Sequence, residues 1–126
     1  MNVRPIRTGI FCPPQHDLFS EISKAVKKIP EQSILVITSK VVSIWQGRCI
    51  PSSLVADKDS LIISEADKYL PRENVPGKWV MHTIKNNLFI PSSGIDESNA
   101  NGHFILWPEK PYETAEKNFE VGKEDI

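Results

Sequence analysis

Apolar and polar positions fall along this chain in short blocks that predict a mixture of small helices and small strands. Val3 to Ile6 is brief and β-branched and is followed by Thr8-Gly9, which predicts an opening strand and a turn. Pro13-Pro14 interrupts regular structure, and Asp17 is placed to cap a helix. From there Leu18, Ile22, Ala25, Val26 and Ile29 recur at helical spacing until Pro30. Glu21 near the start and Lys27-Lys28 near the end match the polarity of a helix macrodipole. Ser33 to Ser39 contains the unbroken apolar run Ile34-Leu35-Val36-Ile37, the pattern of a strand covered on both faces. Lys40 to Trp45 continues it towards a turn at Gly47.

Further along, Cys49-Ile50 predicts a short strand ending at Pro51. Asp57 to Leu70 predicts a helix with Leu61, Ile62, Ala66 and Tyr69 along one side. Trp79 to Ile84 and Leu88 to Pro91 read as two strands joined through Lys85-Asn86-Asn87, because asparagine tolerates the positive φ of tight hairpins. A polar loop from Ser92 to Gly102 leads into a strand from His103 to Trp107, stopped by Pro108. Tyr112 to Phe119 predicts a last helix with Ala115 and Phe119 facing inward, followed by a polar, frayed tail from Gly122. Helices and hairpins mix without regular βαβ alternation. The expected class is therefore α+β, a mixed sheet with hairpins and flanking helices, in one domain over residues 1–126.

Composition narrows the function more than it names one. A chain of 126 residues with 40% apolar and 25% charged content suits one folded domain with a real core. A net charge of −1 lacks the basic footprint that nucleic-acid backbones demand, so no nucleic-acid partner is expected. No apolar run approaches the roughly 20 residues needed to span a bilayer, and Met1 to Pro5 has no signal-peptide layout. Cys12 and Cys49 stand apart and outside any C-x-x-C pattern, which suits two free thiols in a reducing compartment. A cytoplasmic protein with no membrane partner is expected.

Candidate chemistry concentrates in the loop around Asp96. Ser92-Ser93-Gly94-Ile95-Asp96-Glu97-Ser98-Asn99-Ala100-Asn101-Gly102 brings together carboxylates, hydroxyls and amides, the oxygen donors that hard cations prefer. Mg²⁺ takes only one or two protein carboxylates where phosphates supply the rest. The bland alternative is an Asx-rich connection between strands. An EF-hand is excluded, since Asn101 and Trp107 occupy the positions of its glycine and its bidentate glutamate. Ser39-Lys40 is the second candidate, as a lysine at a strand end can neutralise phosphate. Gly9 to Cys12 is the third, where a chain turning after a strand can offer backbone groups to a base or phosphate. Neither established glycine-rich phosphate loop occurs, and no serine or cysteine sits in a nucleophile elbow.

Several of these segments together resemble one family. Val36-Ile37-Thr38-Ser39-Lys40-Val41-Val42-Ser43 with Gly47-Arg48 is similar to an early segment of the coenzyme F(420) gamma-glutamyl ligases. Ser93-Gly94-Ile95-Asp96-Glu97-Ser98-Asn99 resembles their N-A-G-I-D-x-S-N motif. Leu106-Trp107-Pro108-Glu109-Lys110-Pro111 resembles their L-L-P-x-D-P, and Pro5-Ile6-Arg7-Thr8 with Asp17-Leu18 fits in order. The resemblance implies the N-terminal half of that family's fold. It also implies a GTP-dependent ligase that joins L-glutamate to a deazaflavin coenzyme precursor through an acyl phosphate, with Mg²⁺ or Mn²⁺. Asp96 then corresponds to a metal ligand. Gly9, Ile10, Phe11, Cys12, Ser39, Lys40 and Asn99 correspond to nucleotide contacts.

The chain also departs from the family. Ile44 stands where a nucleotide-contacting lysine is expected, Gln46 replaces an acidic residue, and Asp57 to Val75 is shorter than the usual helical stretch. The family's further metal ligands belong to a second half not found in these residues. The resemblance therefore implies a partner chain or a homo-oligomer that completes the site around a nucleotide and a small-molecule acceptor. The alternatives are a non-catalytic binding or assembly module and a self-associating domain using the Trp45 region as its interface.

Overall fold

Asp17 starts the first helix, its carboxylate accepting hydrogen bonds from the backbone N–H groups of Phe19 and Ser20. The computed structural model describes residues 2–124, with side chains through residue 117. Helix α1 (Leu18–Ala25) stops well before Pro30, and only Leu18 is buried. Ile22 and Ala25 are half-covered, so the apolar stripe is too shallow to carry the helix further.

Two predicted strands are not formed. Val3 to Ile6 is irregular and Val3 is 74% exposed. Ser33 to Thr38 is also irregular, with Ile34 at 89% and Val36 at 83% exposure. The run has strand composition, yet no neighbouring strand among the described residues supplies its hydrogen bonds or covers it. Ser39 to Trp45 is likewise not a strand but helix α2 (Ser39–Trp45). Helical spacing turns Ile44 inward at 3% exposure to meet Ala100 and Ile105, with Phe11 and Cys49 packed around them. Trp45 leans on Phe19, ring centroids 5.3 Å apart and edge to face.

The remainder follows the pattern more closely. Strand β1 (Cys49–Pro51) pairs antiparallel with β5 (His103–Ile105), Ile50 opposite Phe104. The predicted helix from Asp57 is α3 (Lys58–Glu65), with Asp57 as its cap and Ile62 fully buried. It ends at Ala66, and the chain turns into β2 (Lys68–Leu70) rather than continuing as helix. Tyr69, expected on the covered side, is 48% exposed. Strands β3 (His82–Lys85) and β4 (Leu88–Phe89) form the predicted hairpin. Asn86 (φ 51°) and Asn87 (φ 61°) adopt the two positive φ angles of a tight hairpin turn. The first strand of that hairpin is shorter than its pattern, because tight turns around Gly77 (φ 74°) leave Trp79 84% exposed. The class is α+β, with sheets β1-β5 and β2-β3-β4 and α3 between them in sequence.

The core is formed by Ile62, Met81, Ile95, Phe104 and Leu106, drawn from α3, the approach to β3, the Asp96 loop and β5. The last helix, α4 (Pro111–Glu124), is longer than predicted and includes Gly122 to Glu124 where a polar tail is expected. Ala115 is exposed, contrary to its expected inward position. The expectation for the Phe119 side chain falls outside the described side chains.

Candidate functional site

The Asp96 loop is built from below by a buried polar lattice. Thr83 donates its hydroxyl to the Ile90 carbonyl and accepts the Ser93 N–H at 2.8 Å. Ser93 in turn donates its hydroxyl to the Ile62 carbonyl at 2.8 Å. Both residues are essentially buried, and with these bonds made neither carries the desolvation cost of an unpaired group. The lattice holds three successive residues at positive φ: Ser92 (52°), Ser93 (54°) and Gly94 (72°). The first two are strained positions for residues with a Cβ, and such strain persists where surroundings over-determine it. Gly94 is required on a second count, since a Cβ there would lie 2.4 Å from Cε3 of Trp107.

This turn delivers Asp96 against the end of β5. Its backbone exchanges two hydrogen bonds with Ile105, at 2.9 and 2.7 Å. Its side chain is equally placed. Oδ1 accepts from the Ser98 N–H at 2.8 Å and from the Ser98 hydroxyl at 2.6 Å. Oδ2 lies 3.0 Å from Nζ of Lys40, which also donates to the Ser98 carbonyl. Partial burial raises the Asp96 pKa, but the Ser98 hydrogen bonds and the Lys40 charge outweigh it and hold the carboxyl below its usual range. Asp96 is therefore an anion at neutral pH.

Lys40 and Asp96 meet on the wall of a pocket of about 170 Å³ lined by Ser39, Lys40, Gly94, Asp96, Ile105, Leu106 and Trp107. The structure thus joins three of the residues singled out in the sequence, Ser39, Lys40 and Asp96. Asn99 follows in the same loop, exposed and at φ 51°. Gly9, Ile10, Phe11 and Cys12 do not line the pocket. Phe11 reaches it indirectly, packing against the cluster that contains Ile105. Gly9 donates its N–H to Glu21 Oε2 at 3.2 Å, so that amide already has an anion. Ile10 is 84% exposed and Cys12 is an exposed free thiol.

Two features escaped the sequence reading. One is Trp107, which forms a pocket wall; its buried Nε1 finds no hydrogen-bond partner among the described residues. The other is an ion network behind that wall. Glu65 receives Arg48 and Lys85, each at 2.6 Å, and all three side chains are 20% exposed or less. Arg48 also donates through Nε to the Trp107 carbonyl at 3.2 Å, fixing the wall's backbone. Burial raises the Glu65 pKa, and the hydrogen bond from Lys85 with the charge of Arg48 more than reverses this. Only a three-dimensional signal identifies this network, since its members are 17 and 20 positions apart along the chain.

A metal would find one carboxylate here, already paired with Lys40. Among the described residues no three His, Cys, Asp or Glu side chains cluster to hold an ion. Asp96 with the Ser98 hydroxyl offers an oxygen-only donor set, which fits one side of a Mg²⁺ or Mn²⁺ site whose other positions come from phosphates, water or another chain. Ile44, at the position where the resemblance implies a lysine, is core, packed with Ala100 and Ile105. No helix among the described residues is long and apolar enough to cross a membrane.

Comparison with curated proteins and with solved structures gives no significant match. The family model for F420-0:Gamma-glutamyl ligase matches residues 6–120, a span that includes α1, the Ser39-Lys40 segment, the Asp96 loop and β5. With nearly the whole chain covered, this protein belongs to the F420-0:Gamma-glutamyl ligase family, the gamma-glutamyl ligases of coenzyme F(420) biosynthesis.

Proposed function

We propose that this chain contributes a nucleotide- and metal-binding half-site to GTP-dependent ligation of L-glutamate onto a deazaflavin coenzyme precursor. The observation that carries the reading is the meeting of Lys40 and Asp96, 3.0 Å apart on one pocket wall although 56 positions separate them in the chain. A cation for phosphate and a carboxylate for a divalent metal are the two groups that phosphoryl transfer to a carboxylate requires. Mg²⁺ or Mn²⁺ held by Asp96, with the Ser98 hydroxyl beside it, would neutralise phosphate charge as the acyl phosphate forms. Lys40 binds a phosphate oxygen. Ser39 offers a hydroxyl to the same group, and Asn99 stands ready on the open side of the loop. Trp107 and Leu106 exclude water from the pocket's inner wall. The positions left open on the metal call for carboxylates from a partner chain or a second copy. GTP use and two free thiols both suit the cytoplasm.

A second reading has its own support. Ile44 in the core and a single carboxylate at the site are what a non-catalytic binding or assembly module of the same family would retain. Isothermal titration with GTP and ATP, with and without Mn²⁺, separates the two. Metal-dependent GTP binding that Asp96→Ala abolishes is the expected result. Absence of nucleotide binding in the presence of Mn²⁺ would overturn the ligase reading in favour of the second.

A further inference from the structure

The Lys40–Asp96 pair presents a difficulty for any ligand of the pocket. Each group is already bound to the other. Asp96 Oδ2 faces Lys40 Nζ at 3.0 Å, and Oδ1 is held by Ser98. A divalent cation approaching Oδ2 meets the ammonium in its way, and a phosphate approaching Lys40 meets the carboxylate. Among the described residues neither charge has another opposite partner: Asp96 meets no second cation, and the one further bond that Lys40 makes there is to the Ser98 carbonyl. The nearby Glu97 is taken by Lys58 at 2.6 Å, so it does not compensate Lys40 when Asp96 is withdrawn.

From this geometry we infer that the pair is a charge-exchange latch: a metal ion and a polyphosphate each release the residue that the other needs. This rests on the functional reading above and adds its regulation. In the ligand-free chain the two charges neutralise each other and weaken the pocket's hold on either ligand alone. A metal that takes Asp96 frees the ammonium for an anion. An anion that takes Lys40 frees the carboxylate for a metal. By linkage the two ligands raise each other's affinity by the same factor. The pair is breakable because it is partly hydrated: the Lys40 side chain is 29% exposed and that of Asp96 40%. Pairs this exposed are weak enough for a ligand to displace. The Ser98 bonds to Oδ1 remain throughout, so the carboxylate keeps its aim while its partner changes.

The latch makes a reciprocal prediction that needs no mixed ligands and no turnover. Removing either partner should improve binding of the other's ligand. Lys40→Met should bind Mn²⁺ alone about five-fold more tightly than the unaltered chain, read from the free-ion paramagnetic resonance signal. Asp96→Asn should bind inorganic tripolyphosphate in EDTA about five-fold more tightly, read by calorimetry. Lys40→Gln, which keeps a polar side chain, should behave as Lys40→Met does, and far-ultraviolet circular dichroism should show each variant folded. If the unaltered chain binds both probes and neither variant gains, the latch is overturned while the functional reading stands. If the unaltered chain and all variants bind neither probe, both fall together.

Discussion

Residues 39–107 and residues 2–38 have similar proportions of apolar sequence, used to opposite effect. In the first region Ile62, Met81, Ile105 and Leu106 are all at or below 5% exposure. They are surrounded by paired strands and by the hydrogen-bonded buried hydroxyls of Thr83 and Ser93. In the second, Ile10, Ile34 and Val36 are each more than 80% exposed, and Leu18 is the one buried apolar side chain. The contrast shows that β-branched composition specifies a strand only where another element completes its hydrogen bonds and covers its faces. Lys40 sits at the seam between the two regions, two residues beyond the exposed run, and the Asp96 pocket opens there.

The sharpest test of the contrast is a matched pair of truncations. Ile62→Ala should lose roughly 2–5 kcal/mol of stability in urea denaturation, as cavities in a packed core do. Ile34→Ala should change the midpoint by less than about 0.5 kcal/mol, as exposed substitutions do. Equal losses would show that the 33–38 run is covered in solution.

Next in size is the ion network that ties the packed region together. Glu65→Gln leaves Arg48 and Lys85 without their shared anion and should cost about 2 kcal/mol by the same measurement. The sign of its pH dependence follows from the depressed Glu65 pKa. Its stabilisation is fully present above the unfolded carboxylate value of roughly 4.3 and is lost as pH falls through the lower folded value. The unaltered chain should therefore lose stability across that acidic window faster than Glu65→Gln does.

The smallest effect compares two helix caps of the same chemistry. Asp57→Ala should lower global stability by about 1 kcal/mol, because α3 carries Ile62 into the core. Asp17→Ala removes an equivalent cap, yet α1 buries only Leu18. Its loss should appear as faster amide exchange within α1 with little change in the global midpoint.

What the sequence disclosed follows the same division. Caps and turns are local, so Asp17 and the Asn86-Asn87 hairpin are legible from a few residues each, whereas Asp57 reads only as the start of a helix and proves to be its cap. The Asp96 loop was legible because its oxygen donors and glycine are consecutive. Ser39 to Trp45 was misread because Val41, Val42 and Ile44 suit a strand by composition, and only their partners Ala100 and Ile105 decide for a helix. The expected strand at 33–38 failed for a related reason, since a continuous apolar run states a need for cover without supplying it. Trp107 and the Arg48–Glu65–Lys85 network were invisible because they join residues from separate elements.

The pairing of β1 with β5 has a consequence for the order of assembly. Ser52 donates its N–H and its hydroxyl to the Gly102 carbonyl, 50 positions away, both at 2.9 Å. The chain between them leaves and returns at one place, carrying α3 and the three-stranded sheet with it. Closing so long a loop is entropically uphill until the contents of the loop have collapsed. The hairpin and α3 draw on near neighbours in sequence and are expected to form before the clasp at β1-β5. Asp96 takes its backbone partner from that clasp, so the pocket is expected to mature after the hairpin and α3.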